Sequence, residues 1–183
     1  MKIKAVLFDL DDTLLWDERA VKEAFERTCR EAAEKAGVDP AALEKAVRKE
    51  ARALYESYDV YPFTQMIGIN PFEALWGRFT EGKAPEFRRL EKLAPEYRAE
   101  SWTRGLKALG VNDDGLGKEL GERFPEIRRS LAYVYEDTYS VLDALRGKVR
   151  LLLLTNGSPD LQREKLAGVP KLPPYFDHIV ISG

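Results

Sequence analysis

One cysteine in 183 residues, Cys29, leaves nothing to pair with and no thiolate cluster, so a disulfide framework and a Cys-based zinc site are both excluded. A reducing interior is the expected setting. No apolar stretch approaches the roughly 20 residues that span a bilayer. The N-terminus enters a strand-like run at once and is read as carrying no signal peptide. An excess of one charge is also missing. The net charge of −2 argues against a nucleic-acid binder, whose affinity comes from clustered Lys and Arg. Internal repeats and low-complexity linkers are absent. Asn and Gln are scarce while 33% of residues are charged, a pairing reported for hyperthermophiles. The expectation is a cytoplasmic protein with neither nucleic acid nor membrane as partner.

What is present is a core-forming composition, 44% hydrophobic, and three short apolar runs. Ala5 to Phe8, Val149 to Leu154 and His178 to Ser182 are continuous rather than alternating, so they read as parallel strands buried on both faces. The long interval between the first two reads as helical. Asp17 to Ala36 places Val21, Phe25, Cys29 and Ala32 at helical spacing and stops at Gly37. Asp39-Pro40 opens a second helix with apolar face Leu43, Val47 and Leu54. Asn70-Pro71-Phe72-Glu73 repeats that start signal, with Glu73 placed to close a capping box. A further helix is predicted from about Pro85 to Leu109, with Pro95 a candidate break. Asp113 to Phe124 is weakened by Gly115, Gly117 and Gly121. Thr138 to Leu145 is a short amphipathic helix before the second strand. The pattern is α/β. Residues 16–135 are too long for a simple crossover. They read as an α-helical domain inserted into a parallel-sheet core formed by 1–15 and 136–183.

The chemistry-bearing residues follow the first two strands. Phe8 runs straight into Asp9-Leu10-Asp11-Asp12-Thr13, three acids within four residues at the carboxyl edge where α/β sheets bind ligands. Such acids repel one another unless a cation offsets them. The second strand ends in Thr155-Asn156-Gly157-Ser158-Pro159, a hydroxyl, an amide and a glycine ahead of a helix start, which suits an anion. Carboxylates beside an anion cradle imply a divalent cation between them, and Mg²⁺, held by one or two carboxylates plus phosphate oxygens, fits.

Asp9-x-Asp11-x-Thr13-Leu14 after four apolar residues, with Leu154-Thr155-Asn156-Gly157 on the second strand, resembles the haloacid dehalogenase-like hydrolase superfamily. Tyr135-Glu136-Asp137-Thr138, Gln162-x-x-Lys165-Leu166 and Tyr175-Phe176-Asp177 extend the likeness along the whole chain. The resemblance implies a Rossmann-like parallel sheet carrying the chemistry and an inserted helical cap that closes over the substrate. It implies Asp9 as nucleophile, forming an aspartyl-phosphate, and Asp11 as general acid and then base. Thr155 and the Asn156 N–H would hold the phosphoryl oxygens. The metal would take a carboxylate oxygen of Asp9 and the main-chain carbonyl of Asp11. An acid at Asp11 favours phosphatase over dehalogenase, because an alkoxide leaving group needs a proton and a halide does not. Asp12 reads as a solvated turn residue. The implied activity is hydrolysis of a small phosphorylated metabolite. Phosphomutase and a non-catalytic regulatory protein are the alternatives.

The family also uses a lysine and a pair of acids beyond the third strand. Lys165 and Lys171 precede that strand, so neither takes the family lysine's role. Residues after Gly183, or a second chain, are expected to complete the site. Without a further neighbour, Ala5 to Phe8 is expected to be an exposed apolar edge. His178, Trp76, Trp102, Tyr55 and Tyr58 read as structural, Arg78 and Arg104 as solvated helix charges, and Cys29 as a buried small hydrophobe.

Overall fold

A computed structural model describes residues 3–183, so Met1 and Lys2 of the expected 1–15 segment lie outside it. Three strands, β1 (Ala5–Phe8), β2 (Arg150–Thr155) and β3 (His178–Ile181), form one sheet in the order β1-β2-β3. Both pairings are parallel, with Phe8 opposite Leu153 and Thr155 opposite Ile181. All three strands therefore end at one edge, and Asp9, Asn156 and Ser182 follow there.

Between β1 and β2 run α1 (Asp17–Ala36), α2 (Pro40–Glu56), α3 (Tyr61–Ile67), α4 (Pro71–Ala74), α5 (Pro85–Ala108), α6 (Asp114–Arg129) and α7 (Thr138–Leu145). α8 (Pro159–Ala167) and a 3₁₀ turn (Pro173–Tyr175) link β2 to β3. The helix starts follow the expected local chemistry. Asp39 accepts the Ala42 N–H at 2.7 Å, satisfying one orphan donor of α2. Asn70 and Glu73 close a reciprocal capping box on α4, a helix of only four residues.

Two points differ from the sequence expectation inside the helical layer. α5 is continuous through Pro95. The lost N–H is outweighed by packing along α2 and α6, since Phe87, Leu90, Ala94, Tyr97, Trp102 and Leu106 are all buried. α6 extends to Arg129 despite its glycines, because two of them serve close approach. A Cβ at Gly117 would stand 2.8 Å from Thr103 Cα, and one at Gly121 would stand 3.0 Å from the Ala99 nitrogen. The missing side chains let α6 lie against the backbone of α5.

Two apolar clusters result. One gathers Phe25, Tyr55, Trp76, Tyr97, Trp102 and Phe124 within the helical layer, so Tyr55, Trp76 and Trp102, read as structural, are core, and the half-buried Tyr58 packs against it. Cys29 is fully buried among them. The other gathers Leu10, Leu14, Leu142, Leu151, Leu153 and Leu166 under the sheet.

Among the described residues the strands are covered on one face only. Leu151 and Leu153 are buried, but Leu7 is 61% exposed, Leu154 44% and Val180 48%. The register puts the last three on one face. Among the described residues, the apolar cluster beneath the sheet engages only the opposite face. Among the described residues β1 lies at one edge of the sheet.

Candidate active site

Beyond Phe8 the chain turns sharply. The Leu10 carbonyl accepts the N–H groups of Leu14 at 3.0 Å and Leu15 at 2.9 Å. Leu10 and Leu14 are buried in the sheet's core and anchor this turn. Asp9 is left exposed at the strand end. Asp12 takes a left-handed backbone, φ +52°, which Asp tolerates better than most residues. Its Oδ1 accepts the Glu18 N–H at 3.0 Å, so Asp12 serves the turn into α1.

The turn brings Asp11 back over α8. Its Oδ2 accepts from Gln162 Nε2 at 2.8 Å, and its Oδ1 from Lys165 Nζ at 2.8 Å. The same Gln162 nitrogen reaches Thr155 Oγ1 at 2.6 Å and the Asn156 carbonyl at 2.6 Å. One side-chain amide therefore gathers Asp11, Thr155 and Asn156, three of the four residues singled out from sequence. The fourth, Asp9, follows β1 beside them, fixed by the Phe8–Leu153 pairing. Thr155 is buried, and Asn156 Oδ1 accepts from Ser182 Oγ at 2.8 Å. Gly157 turns at φ +124°, a backbone that favours glycine, and delivers the chain into the N-terminus of α8.

Lys165 is the residue sequence reasoning passed over. Its ammonium is buried and meets Asp11 Oδ1 at 2.8 Å, Glu73 Oε1 at 2.8 Å and Asp17 Oδ1 at 3.4 Å. Asp17 is also paired with the buried Arg128 guanidinium. Burial alone would depress the Lys165 pKa, but Glu73, Asp17 and Asp11 together raise it above the ordinary lysine value. Two cations face three carboxylates here. Burial pushes the Glu73 carboxyl pKa up and Asp11 adds to this, against the attraction of Lys165. The signal for this cluster was the spacing Gln162-x-x-Lys165. Residues three apart share one helix face.

The helical layer meets α8 along its length. Thr80 donates its N–H to Asp160 Oδ2 at 2.9 Å, and Glu164 pairs with Arg129 at 3.1 Å and Arg78 at 3.3 Å. Arg78 is exposed, as read from the sequence, and its ion pair with Glu164 reaches across two layers. Gly68, at φ +80°, lies against the phosphate-loop candidate. A Cβ there would stand 3.3 Å from Asn156 Cβ. A cavity of about 360 Å³ between the layers is lined by Trp16, Asp17, Trp76, Arg128, Tyr133 and Lys165, and by none of Asp9, Asp11, Thr155 or Asn156.

As for a metal, among the described residues no group of three or more His, Cys, Asp or Glu is arranged to hold one. The three acids around Lys165 already share an ammonium. Asp9 and the Asp11 carbonyl offer hard oxygen donors, the type Mg²⁺ takes while keeping several waters.

The family model described as haloacid dehalogenase-like hydrolase matches residues 3–183. The phosphoserine phosphatase of Thermus thermophilus is 36% identical over 184 residues, covering 99% of this chain and 68% of that protein. The N-acylneuraminate-9-phosphatase of Homo sapiens is 48% identical over 99 residues, 53% of this chain and 40% of that protein. Among solved structures, the HAD-hydrolase YfnB of Bacillus subtilis, bound to magnesium, aligns over all of this chain and 64% of its own. Its TM-score is 0.56 at 17% identity, a likeness of fold.

Proposed function

This chain belongs to the haloacid dehalogenase-like hydrolases, and from that membership we propose that it hydrolyses a small phosphate monoester through an aspartyl-phosphate. The observation that carries the proposal is the placement of Asp11. A carboxyl group two residues past Asp9 has both oxygens held, at 2.8 Å, by Gln162 and Lys165, with Thr155 on the same Gln162 nitrogen. An acid fixed there serves an alkoxide leaving group and would be superfluous for a halide. The phosphatases of Thermus thermophilus and Homo sapiens support the same class.

In the first half-reaction an Asp9 oxygen attacks phosphorus, and the bond from phosphorus to the alkoxide oxygen breaks. Asp11 gives that oxygen its proton and the alcohol leaves. In the second half-reaction water attacks the phosphorus. Asp11, now a carboxylate, takes the water's proton, and the bond from phosphorus to Asp9 breaks to release phosphate. Thr155 Oγ and the Asn156 N–H hold the phosphoryl oxygens as charge shifts. Mg²⁺, held by the Asp9 carboxylate and the Asp11 carbonyl, would neutralise phosphate charge.

In this reading the helical layer, residues 16–135, is a cap that selects the substrate and excludes water. The lone buried thiol suits the cytoplasm. The high charge content and the Thermus relative suit work at high temperature.

The test is release of phosphate from p-nitrophenyl phosphate and O-phosphoserine with MgCl₂ present. Asp9→Asn should lower turnover by about a thousandfold or more while preserving the circular dichroism spectrum. Wild-type turnover in that variant would remove Asp9 as nucleophile.

A further inference from the structure

Three elements converge on Lys165 from outside its own helix. Asp11 comes from the turn after β1, Asp17 from the start of α1, and Glu73 from α4 in the helical layer. The Lys165 ammonium donates hydrogen bonds to Asp11 Oδ1 and Glu73 Oε1, both at 2.8 Å, and stands 3.4 Å from Asp17 Oδ1 as an ion pair. Glu73 is itself held in place: its other oxygen accepts the Asn70 N–H at 3.1 Å, within the α4 capping box. Asp17 is held by Arg128. The ammonium's bond to Asp11 Oδ1 is therefore steered by where Glu73, its other hydrogen-bond acceptor, and the neighbouring Asp17 carboxylate stand. Gln162 holds the remaining Asp11 oxygen, so the plane of this carboxyl is defined wholly from α8.

We propose that Lys165 is a positioning residue that couples the seating of the helical layer, through Glu73, to the orientation of Asp11. The inference rests on the phosphatase reading, in which Asp11 handles the leaving-group proton. A cap that is properly seated keeps Glu73 on Lys165, and Lys165 then aims Asp11. Loss of the Glu73 contact frees the ammonium to swing, and Asp11 loses its alignment. The coupling joins substrate enclosure to acid catalysis without any direct contact between cap and substrate.

A purely structural role and a positioning role differ in their dependence on the leaving group. Nitrophenolate departs without a proton, whereas an alkoxide requires one. The experiment measures kcat and KM for p-nitrophenyl phosphate and O-phosphoserine, with MgCl₂, for wild type, Lys165→Met, Glu73→Ala and Glu73→Gln. General acid catalysis contributes about a hundredfold or more. The expected result for Lys165→Met is a kcat loss of about a hundredfold on O-phosphoserine and under tenfold on p-nitrophenyl phosphate. Glu73→Ala should show the same selective loss at smaller size. Glu73→Gln should restore it, because the amide oxygen still accepts from Lys165. Lys165→Met leaves buried acids unpaired, so the charge-balanced double variant Lys165→Met/Glu73→Gln is measured beside it and should keep the selective loss. Equal losses on both esters, or none on either, would overturn the proposal. If the wild-type protein, with whatever segment or chain completes its site, turns over neither ester, the phosphatase reading itself fails and this inference fails with it.

Discussion

Gly68 joins the helical layer to the phosphate-loop candidate, and its substitution separates two costs that usually arrive together. At φ +80° an alanine is strained by roughly 1–2 kcal/mol. Its methyl would also sit 3.3 Å from Asn156 Cβ, inside the 3.5–4.0 Å optimum for carbon pairs. Gly37 supplies the reference. It ends α1 at φ +68° with nothing within 4 Å of an added Cβ, so Gly37→Ala carries the strain alone. Both variants should lose about 1–2 kcal/mol in urea unfolding followed by circular dichroism, a drop of about 2–8 °C in Tm for a chain this size. Only Gly68→Ala should also displace Asn156, by a few tenths of an ångström. A misplacement of about 1 Å costs on the order of a hundredfold in rate, so about tenfold in kcat/KM on p-nitrophenyl phosphate is expected. Gly37→Ala should keep wild-type kinetics. Identical kinetics in the two variants would refute the claim that the α3–α4 turn bears on the site.

At Gly117 an added Cβ meets the Thr103 backbone, which cannot rotate away, so Gly117→Ala should destabilise by about 1–3 kcal/mol despite better helix propensity. A urea midpoint equal to or above wild type would show that α5 and α6 are not in close backbone contact. Cys29 provides a pH test. Burial pushes its thiol up to about 12, from 9.0 in the unfolded chain, so unfolding releases a proton between these values. Stability should fall there by about 1.4 kcal/mol per pH unit more in wild type than in Cys29→Ala, and below pH 8 the difference should be constant. Parallel pH profiles for the two proteins from pH 8 to 11 would show that the thiol is not buried in the folded state.

Much of the fold was legible because its signals are local. Asp39-Pro40 and the Asn70–Glu73 pair start helices through side-chain contacts within four residues, and sequence spacing specifies those contacts completely. Pro95 and the α6 glycines misled for the opposite reason. The packing of α2, α5 and α6 overrides local propensity, and a glycine that weakens an isolated helix is what allows two helices to touch. Among the described residues β1 is covered on one face only: an apolar run says that a strand is buried, and only the elements packed against it say on which side.

By itself the sequence determined the family and the α/β order, and it singled out Asp9, Asp11, Thr155 and Asn156 as candidates, since each lies within a short motif at a strand end. Only the tertiary structure decided what holds Asp11. Lys165 lies 154 residues away from it and 92 from Glu73. The spacing Gln162-x-x-Lys165 puts both side chains on one helix face, but it does not say which distant carboxylates will meet the ammonium. That becomes visible only when the turn after β1, the start of α1, α4 and α8 meet in space.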